Sequence, residues 1–161
     1  SSQFIGGMKM RIFKFSGNVK ESATFRTKAY IREFQGEFIQ EENDEIVGIM
    51  DNGNSAIKGL FLEDAQLIFI EITSEGHVRG YAFKDIHKTG YFDKCDWLCG
   101  LFSGEGGEKE AEIEVEEEEY SRKHFSKIKN AFRKNNEGID DWNQYYFKHV
   151  QELRNFIDFK E

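Results

Sequence analysis

An Asn-Gly pair between two apolar runs constrains the fold of this chain more than any other feature of its sequence. A type I′ turn needs positive φ at both central residues, so Asn52-Gly53 is typical of a tight hairpin tip. That turn would place Met50 opposite Ser55 and pair the two flanking strands antiparallel. The sequence therefore predicts the first hairpin of a meander that runs from Glu45 to Lys84.

Two further turns extend this hairpin. Turns at 63–66 and 74–77 would place Phe61 opposite Ile68, and Ile68 opposite Phe83. Side chains alternate between faces along a strand, so these pairings define one shared, largely aromatic face. It comprises Ile46, Met50, Ile57, Phe61, Ile68, Ile70, Ile72, Arg79, Tyr81 and Phe83. The opposite face, which includes Glu71, is also largely apolar, so the sheet needs cover on both sides.

Strands and helices are also expected outside the meander. The strands are Lys9–Phe15, Lys28–Gln40, Thr89–Lys94, Trp97–Phe102 and Ala111–Glu116, with a loop at 17–26. The last of them is predicted to be an edge strand guarded by glutamates. Apolar residues at helical spacing predict a helix over 121–135 and a second helix from Asp140 to about Phe159.

A glycine stands two residues before an aromatic residue at four places, where it would suit a small and strongly coiled barrel. These places are Gly36-Glu-Phe38, Gly59-Leu-Phe61, Gly90-Tyr-Phe92 and Gly100-Leu-Phe102. The predicted fold is mainly β, an antiparallel up-and-down meander or barrel of about seven to nine strands with two C-terminal helices packed on it. This architecture is similar to the calycin type of lipocalins and avidins. The Gly-x-Trp motif that opens lipocalins is absent, so no residue role is transferred.

The chain has 161 residues, which predicts one domain over 8–161, with the β part at 8–119 and the helices at 121–159. Residues 1–7 are interpreted as the remnant of an expression tag. No apolar run approaches the length of a membrane span, and no signal peptide is visible. Cys95 and Cys99 are interpreted as reduced thiols, so a cytoplasmic location is expected.

Charge is concentrated in one segment. Residues 105–119 contain nine glutamates and one lysine, which equals the net charge of −8 of the whole chain. The remainder is close to neutral, so no nucleic acid is expected as a partner. The predicted helix over 121–135 is basic, which is typical of contacts with acidic partners, phosphate or anionic membranes, or of a solvated face.

The sequence carries no recognisable catalytic motif, so a non-enzymatic binding protein is expected. There is no Gly-x-Ser-x-Gly elbow and no phosphate-binding loop followed by lysine. His87, Cys95 and Cys99 would supply three zinc ligands at a spacing that matches no common template. No metal or cofactor is therefore expected.

Two functions follow from these patterns. The first is a barrel that binds a small ligand, lined by Arg79, Tyr81, Tyr91 and Trp97. A bare charge on the aromatic face is costly, so Arg79 reaches water or an acid near the barrel mouth, or meets an anionic ligand. The alternative is a protein–protein interaction module, such as an inhibitor or immunity protein, that uses the acidic segment at 105–119 or the basic helix. A filled interior would favour the interaction module, and an open cavity with polar groups would favour the ligand.

Overall fold

Nine strands and one helix make up the part of the chain that the structure, a computed structural model, describes. That part comprises residues 3–5, 8–21, 23, 25–26, 28–74, 78–86, 92–97, 107–135 and 151. The elements are β1 (Gln3–Ile5), β2 (Met8–Glu21), β3 (Tyr30–Glu41), β4 (Glu45–Met50), β5 (Ser55–Leu62), β6 (Gln66–Thr73), β7 (Val78–Phe83), β8 (Phe92–Trp97), β9 (Gly107–Glu118) and α1 (Arg122–Asn135). No helix in these ranges is long and apolar enough to cross a membrane.

The strands form one antiparallel sheet in the order β7-β6-β5-β4-β3-β2-β9-β8, and β1 pairs with β2 beside this path. The two ends of the path, β7 and β8, come into contact, so the sheet curls into a half-barrel. The prediction of a mainly β, antiparallel meander is therefore confirmed. The sheet buries an aromatic cluster on its inner face, and α1 packs on its outer face.

The register of the first predicted hairpin is confirmed, but its tip is longer than the two residues expected: residues 51–54 separate the paired strands, and Asp51 also has a positive φ of 53°. Met50 lies opposite Ser55, as the turn chemistry requires. Asn52 and Gly53 have φ values of 58° and 89°, and the Asn54 amide donates a hydrogen bond of 3.2 Å to the Asp51 carbonyl. Both central residues thus take the left-handed conformation that this turn needs.

The next two turns differ from the prediction by one residue each. Leu62 lies opposite Gln66, so the β5–β6 loop has three residues, and Phe61 lies opposite Leu67 rather than Ile68. Glu63 and Asp64 take positive φ values of 51° and 57°. A loop of odd length moves the following strand by one residue, which exchanges the two faces of β6.

The pairing of β6 with β7 also differs from the prediction by one residue. The two differences cancel, so the residues of β7 lie on the faces predicted for them. Leu67 pairs with Phe83, and Ile68 pairs with Ala82. Ile68 and Phe83 therefore lie on opposite faces, and the prediction that they lie side by side is wrong. The same correction moves Glu71 onto the inner face.

Aromatic rings fill the inner side of the half-barrel. The buried cluster comprises Phe13, Phe15, Val19, Phe34, Phe38, Ile46, Met50, Ile57, Phe61, Leu67, Phe69, Tyr81, Phe83, Ala111 and Ile113. Phe13 stacks on Phe38 with ring centroids 4.9 Å apart, and Phe61 meets Phe13 edge to face at 5.2 Å. A Cβ atom on Gly36 would lie 2.6 Å from the Phe15 ring, so glycine provides the space that this ring occupies.

Helix α1 packs on the outer side of β3, β4 and β5, and its apolar face also reaches Ile12 of β2. Phe125 and Ile128 are buried against Ile12 and Ile39. This element is the first of the two predicted helices. The second, expected from Asp140 to Phe159, lies outside the described residues except for Gln151, which is helical and exposed.

Strand β9 is not the edge strand that its glutamates predict. It lies between β2 and β8, and it pairs with both. Its alternation arises because Ala111 and Ile113 point into the core while the intervening glutamates face solvent. Two other boundaries also differ: β2 continues through 17–21, where a loop is predicted, and β8 crosses the predicted break between Lys94 and Trp97.

Candidate functional site

Four polar side chains meet on the inner face where β3, β6 and β7 come together. Glu71 of β6 lies directly opposite Arg79 of β7, and Tyr81 follows two residues later on the same face. Arg32 of β3 reaches this group with its Nη2 atom, which donates a hydrogen bond of 3.2 Å to the Tyr81 hydroxyl. The Tyr81 hydroxyl in turn donates a hydrogen bond of 2.9 Å to Glu71 Oε1. We refer to Arg32, Glu71, Arg79 and Tyr81 as the Glu71 cluster.

The negative charge of Glu71 is the main electrostatic feature of this cluster, because its carboxylate is buried away from water. Its side chain is 0% exposed, and Arg79 Nη1 lies 3.7 Å from Oε1. The Oε2 atom is buried without a hydrogen-bond partner in the part of the chain that the structure describes. Burial and the nearby Glu71 charge raise the pKa of Tyr81 well above its usual value of 10.0, so the phenol stays protonated and acts as a donor.

Two of the four residues predicted to line a ligand site belong to the Glu71 cluster. Arg79 and Tyr81 are brought together there, and Arg79 meets an acid, which is one of the two environments expected for it. Tyr91 lies outside the described residues. Trp97 ends β8, and its side chain is also outside the described part.

Sequence reasoning missed Glu71 and Arg32. The predicted register placed Glu71 on the outer face, because both faces of β6 are apolar and so conceal a shift by one residue. Arg32 shares the face of Phe34 and Phe38 in an alternating strand, which is a signal that could have identified it.

Aromatic rings pack against the Glu71 cluster in the part of the chain that the structure describes. Phe69 stacks on Tyr81 with centroids 4.5 Å apart, and Phe34 approaches the same ring at 5.4 Å. Tyr81 is 0% exposed. These rings therefore pack closely against the phenol of Tyr81.

A second cluster of polar side chains, centred on Arg11, lies at the other end of the interior. Arg11 donates hydrogen bonds to Glu117 at 2.7 and 3.2 Å and to Asp64 at 2.9 and 3.3 Å, and it stacks over Phe13. These contacts join β2, β9 and the β5–β6 turn. The hydrogen bond to Glu117 contributes most to raising the pKa of Arg11, and the same bond lowers the pKa of Glu117.

The outer face of β9, β2 and β3 carries a set of exposed carboxylates. Three consecutive rows cross these strands: Glu116–Lys14–Glu37, Glu114–Ser16–Gln35 and Glu112–Asn18–Glu33. We call these nine residues the acidic floor. It contains five carboxylates and one ammonium group, and most of its side chains are exposed. Alternate residues of a strand are about 7 Å apart, so the carboxylates of β9 form an evenly spaced line.

The acidic floor forms the base of an open groove. One hollow of about 900 Å³ lies toward α1, where Lys127 and Ile128 line it. An adjoining hollow of about 720 Å³ is bounded by the Asp51–Asn54 turn. Both hollows share floor residues, including Ser16 and Glu114, so they form one continuous groove between the helix and the turn.

Part of the negative charge in the groove is neutralised within the molecule. Lys14 lies 3.5 Å from Glu116, and His124 of α1 lies 2.8 Å from Glu37. Glu33, Glu112 and Glu114 form no ion pair within 4.0 Å among the described residues. The groove can therefore accept cations from outside without breaking existing pairs.

Comparisons with known protein families, with curated proteins and with solved structures find no significant match, so they assign this chain to no family. The likeness to calycins accordingly stays a prediction about architecture.

Proposed function

We propose that the protein is a non-enzymatic interaction module, of the inhibitor or immunity type, that binds a basic protein partner through the acidic floor. The observation that carries this proposal is the line of exposed glutamates at the base of an open groove, outside an aromatic interior that is already filled. Residues 112–116 belong to the acidic segment that the sequence singles out. We propose that the protein acts in the cytoplasm, as expected from the cysteine content.

Charge and shape together support a partner with lysines or arginines. Glu112 and Glu114 are exposed, and they repel each other at about 7 Å until cations lie between them. A single exposed ion pair contributes only about 0.2–1 kcal/mol, so specific binding needs several pairs at once. The groove provides these along one strand, and the field of a chain with charge −8 would accelerate encounter with a basic surface.

The proposal is tested with a charge reversal and a matched control. Glu112→Lys/Glu114→Lys changes the acidic floor, and Glu42→Lys/Glu45→Lys makes the same change in net charge near the β3–β4 turn. Affinity purification with both variants and the wild type should retain basic proteins that only the floor variant loses. Their affinity for the floor variant should fall by at least about tenfold. An identical set of retained proteins for both variants would reject the proposal.

Binding of a small ligand at the Glu71 cluster is a second candidate. The observation in its favour is Glu71 Oε2, a buried carboxylate oxygen without a hydrogen-bond partner in the described part of the chain. Such an atom is costly unless a donor reaches it. Native mass spectrometry of freshly purified protein tests this candidate: a co-purified mass that Glu71→Gln abolishes would support it. The bare polypeptide mass for the wild type would exclude a ligand that survives purification.

A further inference from the structure

The free end of the β2–β3 hairpin exposes three large apolar side chains. Phe25 is 99% exposed, Ile31 61% and Tyr30 53%. Among the residues whose side-chain exposure the structure describes, the exposed large hydrophobic ones all lie at this end. Exposed apolar groups that gather at one place generally mark a contact surface. We call Phe25, Tyr30 and Ile31 the apolar tip.

The hairpin end is not paired with the strands on either side of it. Pairing of β3 with β4 ends at Gly36, and pairing of β2 with β9 ends at Val19. Pairing of β2 with β3 continues as far as Glu21 and Tyr30. The last pairs of β2 and β3 therefore have no partner in β4 or β9, and Tyr30 and Ile31 of the apolar tip lie in this unflanked part of the hairpin.

The charge around the apolar tip is opposite to that of the whole chain. Residues 20–32 contain four cations and one acid, a net charge of +3, whereas the chain carries −8. The cations are Lys20, Arg26, Lys28 and Arg32, of which Arg32 turns inward to the Glu71 cluster, and the acid is Glu21. Lys20, Arg26 and Lys28 are all exposed, so apolar and basic groups share one small surface.

We propose that the apolar tip docks on an anionic lipid surface. Apolar side chains gain free energy when they enter the boundary between headgroups and acyl chains, and a tyrosine suits this boundary because its ring is apolar and its hydroxyl polar. Lysine and arginine near the same boundary are attracted by anionic headgroups such as those of the cytoplasmic leaflet. The acidic floor would be repelled by the same lipid, which favours an approach through the basic hairpin end.

Co-sedimentation with vesicles tests this proposal. Wild-type protein should bind vesicles of phosphatidylcholine and phosphatidylserine at low salt, bind much less at high salt, and bind pure phosphatidylcholine weakly. Phe25→Ser/Ile31→Ser should lower the partition coefficient by about tenfold or more. Its thermal stability should match that of the wild type, because both side chains are exposed.

Two charge variants identify the contact. Arg26→Glu/Lys28→Glu alters the hairpin end, and Lys123→Glu/Lys134→Glu makes the same change in net charge on exposed positions of α1. Loss of vesicle binding only in the hairpin variant would support the proposal. Loss only in the helix variant would overturn it and assign the contact to α1. Absence of binding by the wild type to anionic vesicles at low salt would also overturn it and leave the apolar tip to a protein partner.

Discussion

Glu71 is a carboxylate held inside an aromatic interior by one phenol and one guanidinium. Tyr81 donates to its Oε1 atom at 2.9 Å, and Arg79 lies 3.7 Å from the same atom. A buried charge of this kind is tolerated only while its partners stay in place, because an ion without compensation is very costly in a medium of low dielectric constant. At the residue scale, the Glu71 cluster is therefore where single substitutions should have the largest effect.

Replacing Arg79 removes the cation that faces Glu71. Arg79→Met should lower the free energy of unfolding by about 2 kcal/mol, less than for a fully buried pair because the arginine is 27% exposed. Urea denaturation measures this loss. Glu71→Gln/Arg79→Met is the control, since a neutral amide needs no cation, and it should recover most of the stability. If Arg79→Met were as stable as the wild type, Arg79 would not be what compensates Glu71.

Tyr81 should make the fold sensitive to high pH. Burial raises its pKa above 10.0 in the folded state, so the folded protein holds this proton more tightly than the unfolded chain does. The resulting stabilisation is complete below pH 10 and is lost as the pH rises above 10 toward the pKa of the folded state. Stability measured between pH 8 and 11 should fall more steeply for the wild type than for Tyr81→Phe. If the stability of both proteins changed with pH in the same way, Tyr81 would not be the source of the sensitivity to high pH.

At the scale of elements, the turns decide which parts of the fold the sequence predicts correctly. Asn52-Gly53 specifies both its conformation and its register, so the β4–β5 hairpin follows from two residues. The β5–β6 loop has no glycine, and Glu63 and Asp64 take positive φ instead, which is uncommon for residues other than glycine although aspartate tolerates it better than most. The resulting shift by one residue was invisible because both faces of β6 are apolar.

The shift of β6 explains why Glu71 was missed, whereas Arg32 of β3 was overlooked on a face that the prediction placed correctly. In the observed register, Glu71 lies on the inner face with Arg79 and Tyr81. Arg79 therefore faces an acid, which the predicted register had placed on the outer face. The glutamates of β9 led to a different error, the prediction of an edge strand. Their alternation reports one solvent-exposed face, which a strand inside the sheet can have as readily as an edge strand.

Gly53 tests the hairpin that organises the meander. Its φ of 89° is unfavourable for any residue with a Cβ atom, most of all for a β-branched one, while the added atom would meet nothing within 4 Å. Gly53→Val should therefore destabilise the fold through the backbone alone, by about 1–2 kcal/mol. Gly53→Asn is the matched control and should cost less, because asparagine tolerates this conformation. Equal stability of wild type and Gly53→Val in urea would refute the assigned turn.

At the scale of the whole molecule, the charges are arranged in separate regions. The acidic floor occupies the outer face of β9, β2 and β3, the basic helix α1 flanks it, and a second basic region surrounds the apolar tip. The interior, by contrast, is filled with aromatic rings. The two binding surfaces that we propose accordingly lie on the outer surface of the sheet and at the hairpin end. The sequence predicted the acidic segment, but only the fold gathers Glu33 and Glu37 from β3 beside it.

Amide chemical-shift mapping with a lysine-rich peptide tests the central proposal most directly. The peptide should perturb amides within 14–18, 33–37 and 112–116, which form the acidic floor. The perturbations should weaken as salt concentration rises and disappear in Glu112→Lys/Glu114→Lys. The Glu42→Lys/Glu45→Lys control should give the wild-type pattern. Perturbations spread evenly over the acidic surface, or a floor variant that still gives the wild-type pattern, would contradict a binding role for the acidic floor.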